Sequence, residues 1–173
     1  MIGNKIILKP MSEHDLKHVV RIQEKAYKPF YHETIDVIKE KLLFFPNGCW
    51  VALDDEIVVG YLFSHHWYHY LPVKLNSQLR IISNNFDCIY IHDIAVAIEY
   101  QQEGIGTILF SKAKEITEQL KYKHIVVVSV QNSGNFWNHL GFQPFENIPS
   151  DAKDKLLSYG QGCSYMIFQL ERA

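Results

Sequence analysis

The stretch Cys88-Ile89-Tyr90-Ile91-His92-Asp93-Ile94-Ala95-Val96, followed after four residues by Gln101-Gln102-Glu103-Gly104-Ile105-Gly106, decides how this sequence folds. The first segment reads as a strand. Beyond it Ile105, Ile108, Leu109, Ala113, Ile116 and Leu120 recur at helical spacing, predicting a helix over 104–122. Residues 125–130 then form a β-branched run typical of a central strand. The order strand, glycine turn, helix, strand sets a helix start at the end of a strand. Unpaired backbone N–H groups and the positive dipole end converge there, which suits a phosphate. Gly104 and Gly106 let the main chain approach a pyrophosphate with no Cβ in the way. Leu109 occupies the third glycine position of a dinucleotide fingerprint, so the turn is not that motif. Taken alone, it is also the tight turn that opens an amphipathic helix.

Working outward, residues 6–9 read as an opening strand stopped by Pro10. Ser12 offers an N-cap with Asp15 three residues on, and the spacing of Leu16, Val19, Val20, Ile22 and Ala26 predicts a helix over 13–27. Thr34 caps a second helix carrying Val37, Ile38, Leu42 and Leu43, closed by Pro46-Asn47-Gly48. Strands over 49–53 and 57–64 form a hairpin around Asp54-Asp55-Glu56. Residues 67–86 lack sustained periodicity and read as a long connection. A short helix over 134–140 ends at Gly141, and 142–145 and 163–170 supply closing strands.

A chain of 173 residues fits one domain, residues 1–173. Its 47% hydrophobic and 21% charged residues are those of a globular protein, and a formal net charge of -2 gives no general attraction for nucleic acid or an anionic membrane. Cys49, Cys88 and Cys163 are scattered and odd in number, forming neither a disulfide framework nor a CxxC pair. The N-terminal apolar run is shorter than a signal-peptide core and no later stretch reaches spanning length. The expectation is a cytoplasmic monomer or homodimer, with no nucleic-acid or membrane partner.

The pattern Gln101-x-x-Gly104-x-Gly106 after Ile94-Ala95-Val96, followed by an amphipathic helix, a Val-rich strand and Phe136-Trp137-Asn138-His139-Leu140-Gly141-Phe142, closely resembles the GNAT superfamily of N-acetyltransferases over residues 90–145. The rest of the chain is compatible with it. The resemblance implies an α/β (α+β) fold with a mixed, mostly antiparallel central sheet flanked by helices, whose splayed strands hold acetyl-CoA. It implies that main-chain groups of Ile94, Ala95 and Val96 hold the pantetheine arm like an added strand. The Ile94 N–H would then polarise the thioester carbonyl. The pyrophosphate would fall to Gln101, Gln102, Glu103, Gly104, Ile105, Gly106 and Thr107.

The sequence departs from that pattern in three places. The turn carries glutamines rather than arginines and is flanked by Glu99 and Glu103, so backbone donors must do more; Lys112 and Lys114 are expected to compensate in part. The family's tyrosine that protonates the departing thiolate falls at Trp137, whose indole N–H is no acid at neutral pH. Trp137 is then expected to pack against the cofactor arm, with Tyr165 and Tyr159 as replacement acids to test. The family's asparagine before the late helix aligns with Val130, leaving Asn132 or Asn135 to reach pantetheine.

Period-two alternation puts Tyr90, His92 and Ile94 on one face, one strand repeat separating His92 from the thioester position. An imidazole there can take a proton from an ammonium. The segment also resembles the arylalkylamine N-acetyltransferases, in which a histidine on this strand serves a proton path. The competing reading is a core histidine bonded to a carbonyl, with Tyr90 next in line for the proton path. Asp93, on the opposite face, is expected to anchor a loop. In His65-His66-Trp67-Tyr68-His69-Tyr70 the spacing of His65 and His69 is that of helical zinc ligands, but the segment continues a strand, so no metal is expected. Either His65, Trp67, Tyr68 and Tyr70 wall an acceptor pocket for an aromatic or alkyl amine, or the aromatics pack beneath the long connection.

The function expected from all this is acetyl transfer from acetyl-CoA to a primary amine, a small aryl- or alkylamine, by direct attack in a ternary complex. The alternatives are a protein N-terminal or lysine acetyltransferase and a catalytically silent acyl-CoA-binding module. An acidic groove would favour peptides or polyamines, a closed aromatic pocket small amines.

Overall fold

The computed structural model describes residues 5–171; Met1 to Asn4, part of the N-terminal run read above for a leader, lie outside it. The chain runs β1 (Ile7–Pro10), α1 (Leu16–Ala26), α2 (Ile35–Phe44), β2 (Cys49–Asp54), β3 (Ile57–Trp67), β4 (Cys88–Val96), α3 (Ile105–Gln119), β5 (His124–Ser129), α4 (Gly134–His139), β6 (Gln143–Pro144), α5 (Lys153–Leu157) and β7 (Ser164–Gln169). One seven-stranded sheet has the order β1-β2-β3-β4-β5-β7-β6. All neighbours are antiparallel except β4 and β5, which α3 joins as a crossover. Among the described residues no helix is long and apolar enough to cross a membrane.

Alternation along the strands loads both faces. Ile89, Ile91, Ile125 and Val127 meet Leu109, Ala113 and Trp137 from α3 and α4. On the other face Val51, Tyr61 and Phe63 meet Leu16, Val19, Ile22, Ile38 and Leu42 from α1 and α2. Farther along that face, Tyr90, Val126 and Tyr165 meet Leu71 and Val73 of the long connection and Tyr159. Each fully buried aliphatic side chain such as Leu109 or Val19 contributes about 1.5–3 kcal/mol.

The first helix begins as a 3-10 turn over Glu13–Asp15. There the Asp15 carboxylate accepts from the Ser12 N–H and hydroxyl, both at 2.8 Å, and from Lys9 at 2.9 Å. β3 extends three residues beyond the expected strand end at Ser64, because its pairing with β4 continues to Trp67 opposite Cys88. The first half of the aromatic run, His65 to Trp67, is therefore strand.

Two irregularities of β4 make the site. Phe63 pairs with Asp93 while Ser64 pairs with Ile91, so His92 is an extra residue, a β-bulge. The bulge reverses the phase of alternation. Beyond it Ala95 packs with the α1 face, whereas Ile94 and Val96 pack with the α3 face. The shared face expected for Tyr90, His92 and Ile94 thus breaks at His92, and Asp93 joins the histidine's side. In addition, β4 pairs with β5 only from Cys88–His124 to Ile91–Val127, so from His92 onward that edge of β4 has no strand partner.

Candidate active site

The gap between the diverging strands holds two adjoining cavities that share Ala26, Tyr27, Ile94, Gln101, Ser133 and Phe136. The lower one continues along Ala95, Val96, Tyr100, Gln102, Gly104, Ile105, Gly106 and Thr107. Gly104 is the N-cap of α3 at φ 80, a left-handed conformation, and Ile108 N–H is the first to bond within the helix, to the Gly104 carbonyl at 3.1 Å. The N–H groups of Ile105, Gly106 and Thr107 therefore lack intrahelical acceptors and open the fifteen-residue helix toward the cavity. A Cβ on Gly104 would meet nothing within 4 Å, so this glycine supplies conformation; one on Gly106 would come within 3.1 Å of the Phe136 ring, so that glycine supplies room. An anionic pyrophosphate fits this lining.

The upper cavity, about 330 Å³, is walled by α1 and the loop after it, the β4 bulge, and the start of α4. Its polar side is built from two hydrogen-bonded groups, one around Glu33 and one around Asp93. Glu33, 7% exposed, lies 2.7 Å from His92 Nε2 and 3.6 Å from the Lys41 ammonium, itself 1% exposed. The Asn76 N–H donates to Glu33 at 2.8 Å, and Gln23 clamps the Glu33 main chain through its amide at 3.0 and 3.1 Å. Burial raises the Glu33 carboxyl, but His92 and Lys41 outweigh it and hold the group at about 2. Asp93 accepts from Tyr27 at 2.6 Å and from the Tyr61 hydroxyl. Burial pushes its carboxyl up to about 6 despite those two donors, with the Glu33 charge adding to the rise. Burial lowers the His92 imidazole from its ordinary value, against the pull of Glu33.

The acetyltransferase (GNAT) family model matches residues 16–142 of the chain. The chain belongs to the GNAT acetyltransferase family. It is accordingly an acetyl-CoA-dependent acetyltransferase. No curated protein sequence matches it. Among solved structures, Ard1 of Thermoplasma volcanium is similar with a TM-score of 0.73 at 15% identity, covering 96% of this chain and 99% of that one. A GNAT-like decarboxylase, GphF, in complex with isobutyryl-CoA reaches 0.76 at 11% identity over 95% and 100%. The PaiA N-acetyltransferase of Thermoplasma acidophilum, in complex with coenzyme A, gives 0.66 at 13% over 96% and 99%. At these identities the likeness is one of fold.

On this GNAT scaffold Ile94, Ala95, Val96, Gln101, Gln102, Gly104, Ile105, Gly106 and Thr107 come together around the lower cavity, whereas Glu103 is exposed and does not line it. Asn132 and Asn135 are exposed and line neither cavity; Ser133 lines both. Trp137 walls the upper cavity, its indole donating to the Ser133 hydroxyl at 3.2 Å. Lys112 and Lys114 do not reach the turn. They lie over the Trp50 and Phe168 rings, at 4.4 and 5.4 Å from the ring centres, and Lys112 also pairs with Glu115 at 2.5 Å.

The aromatic run does not wall the upper cavity. His65 is buried, stacked on Tyr90 with ring centres 5.3 Å apart, and donates through Nδ1 to the His66 carbonyl at 3.2 Å. The Trp67 indole donates to the Leu71 carbonyl at 2.8 Å, and the Tyr68 hydroxyl engages Ile82 and Ser83. Tyr70 stands beside Tyr68 and His69, at the start of the long connection. The reason is the strand itself: pairing to Trp67 points alternate side chains into the core beneath 71–86. Tyr90 is likewise internal, accepting from the Val73 N–H at 3.3 Å. Tyr159 lines the cavity with its hydroxyl donated to the Val73 carbonyl at 2.9 Å, whereas the Tyr165 hydroxyl is buried without a partner and outside it. Among the described residues no group of three or more His, Cys, Asp or Glu could hold a metal ion.

Gln23, Tyr27, Tyr31, Glu33, Gln131 and Ser133 are among the cavity residues to which sequence reading gave no role, and Asp93 was read as a loop anchor on the opposite face. Only the position of Asp93 beside His92 gave a signal, and alternation pointed it the wrong way. Glu33 lies between helices, where no periodicity announces a contact 59 residues away.

Proposed function

We propose that this protein transfers the acetyl group of acetyl-CoA directly to a primary amine that carries no carboxylate, a small aryl- or alkylamine, with Asp93 as the general base. The observation that carries the reading is the bulge at His92, which turns Asp93 into the cavity at the point where β4 leaves β5.

When bound, acetyl-CoA supplies the acyl group as an activated thioester. The backbone donors at the start of α3 would hold the pyrophosphate, and the edge of β4 that β5 leaves unpaired, where the Ile94 and Val96 carbonyls accept from Tyr27 at 2.9 Å and from Gln101 at 3.2 Å, would align the pantetheine arm. The Ile94 N–H stabilises negative charge developing on the carbonyl oxygen. An amine arrives as an ammonium with no free lone pair, so a proton must leave before or during attack. Of the ionisable groups on the wall, Glu33 at about 2 is too weak a base, and burial holds the Tyr27 and Tyr159 hydroxyls protonated. Asp93, at about 6, is deprotonated at neutral pH yet basic enough to accept. The His92 side chain is 4% exposed and tied to Glu33, so it acts from behind, fixing the loop that carries that carboxylate.

The acceptor class follows from charge and shape. Among the described residues the wall carries Glu33 and Asp93 but no Lys or Arg, so an acceptor's carboxylate would be buried unpaired, which is costly. Tyr27, Tyr31, Phe136, Trp137 and Tyr159 offer ring faces to an aromatic or alkyl body and to the cation itself. The volume lies near the small end of ligand pockets, about 300–1,000 Å³, which favours a small amine over a folded protein's lysine.

The test is thiol release from acetyl-CoA across a panel of arylalkylamines, alkylamines, free amino acids and N-terminal peptides. Turnover of simple amines with amino acids silent is expected. Preference for peptides would move the protein to the N-terminal acetyltransferases, and release independent of any amine would make it a silent acyl-CoA-binding module.

A further inference from the structure

A third cavity, about 350 Å³, opens between the long connection and α5 and shares no lining residue with the other two. Trp67, Pro72 and Val73, all buried, and the half-buried Leu79 give it an apolar lining. Its charged residues are Lys74, Arg80 and Lys155, with no Asp, Glu or His on the wall. Among the described residues none of these three forms an ion pair, whereas Lys9, Lys25, Lys39, Lys41 and Lys112 each meet a carboxylate.

Like charges gathered around one concavity repel each other, and its apolar walls focus their field on an anion that enters. A guanidinium and two ammoniums match a phosphate monoester, which brings nearly two negative charges and three acceptor oxygens. The volume lies within the range of small-ligand pockets, about 300–1,000 Å³, so an organic body fits beside the phosphate against the indole and aliphatic lining.

We propose that this cavity binds a small organic phosphate monoester, and that the bound ligand holds the connection against the upper cavity. The connection serves both. Lys74 and Ser77 line the third cavity, while Leu75 between them lines the upper one. The Leu75 N–H donates to the Ser158 hydroxyl at 3.0 Å, the Asn76 N–H to Glu33 at 2.8 Å and the Leu79 N–H to Glu40 at 3.0 Å. Just beyond α5, Tyr159 lines the upper cavity and bonds the Val73 carbonyl. A phosphate bridging Lys74 or Arg80 to Lys155 therefore ties together the two segments that supply Leu75 and Tyr159 to the acceptor's wall. Only this coupling rests on reading the upper cavity as the acceptor site.

Phenyl phosphate is the probe, with CoA at saturation so that the α3 N-terminus is filled. By calorimetry it should bind at least about tenfold tighter than inorganic phosphate, which lacks the body, and than benzoate, which has a single charge. Arg80→Gln and Lys155→Gln should each weaken it by about tenfold, with melting curves confirming the fold, while Lys17→Gln, an exposed lysine on α1, should leave it unchanged. With the probe bound, the Leu75, Asn76 and Leu79 amides should exchange hydrogen at least about threefold more slowly, and Lys155→Gln should abolish that protection at the same probe concentration. No binding, equal affinity for all three anions, or affinity untouched in either cation variant overturns the site. Binding without slower exchange at those amides overturns the coupling. Neither result bears on the acetyl-CoA cleft or on the acceptor class, which the amine panel decides.

Discussion

The glycine turn and the β4 bulge stand at the two ends of one open strand edge, and they work with different atoms. At the turn, Gly104 and Gly106 shape the main chain and backbone N–H groups open toward the lower cavity, so its lining there comes from residues adjacent in sequence. At the bulge, Asp93 draws donors from Tyr27 on α1's end and Tyr61 on β3, while His92 holds Glu33 from the loop between α1 and α2. The proposed binding site is thus local and backbone-borne, and the proposed base is set by distant side chains. Substitutions should separate the two.

The largest effect is expected at the bulge. Asp93→Asn removes the base and should lower kcat/KM by about 10²–10⁴-fold with CoA affinity unchanged. Because the folded Asp93 carboxyl is raised from 3.8 to about 6, its ionisation weakens the fold as pH climbs through that window and the penalty is fully present above it. The same variant should therefore melt at a higher temperature than wild type at pH 7.5 and show no such gain at pH 4. A variant both inactive and less stable at pH 7.5 would break the assignment of a costly, functional charge.

Next is the pair beside it. Glu33 is depressed from 4.5 to about 2, so it stabilises the fold above pH 4.5 and that contribution is lost as pH falls toward 2. Glu33→Gln leaves the buried Lys41 ammonium without its carboxylate and should cost about 3–5 kcal/mol in chemical denaturation at neutral pH. Glu33→Gln combined with Lys41→Met should recover part of that loss; no recovery would mean the pair is not the source.

A smaller effect is expected at the turn. Gly106→Val drives a side chain against Phe136, costing about 1–3 kcal/mol in packing, and should weaken CoA binding by calorimetry while kcat at saturating donor stays within a few-fold of wild type. Unchanged affinity would sink the pyrophosphate site. Smallest is Tyr27→Phe: with one of its two donors gone, Asp93 ionises less readily, so the acidic limb of the rate profile should move to higher pH with the plateau nearly kept.

The same contrast explains what the sequence disclosed. Strand, turn and helix from 88 to 122 follow from local spacing, and so does the α3 N-terminus that faces a phosphate. The hairpin read equally well, its Asp54 opposite Ile57 and Asp55 at φ 52. What periodicity could not reveal was a single extra residue: nothing in Tyr90 to Val96 marks His92 as unpaired, because a bulge is set by the partner strand's register. That one slip exchanged the faces of Ile94 and Asp93 and so hid the carboxylate. The aromatic run misled for a related reason, since its composition suits a pocket and a core alike and only pairing through Trp67 sends it inward. Glu33 and Lys41 were beyond reach, as their contact with His92 is made by tertiary packing alone.

The most direct test of the account is kcat/KM against pH, with a simple arylalkylamine that turns over, for wild type, Asp93→Asn and His92→Gln, with melting curves on the same samples. Wild type should rise through an acidic limb near pH 6 to a plateau, and Asp93→Asn should lose both the rate and the limb. His92→Gln should keep the limb at reduced stability. A limb that survives in Asp93→Asn and disappears in His92→Gln would contradict the account and return the proton to the histidine.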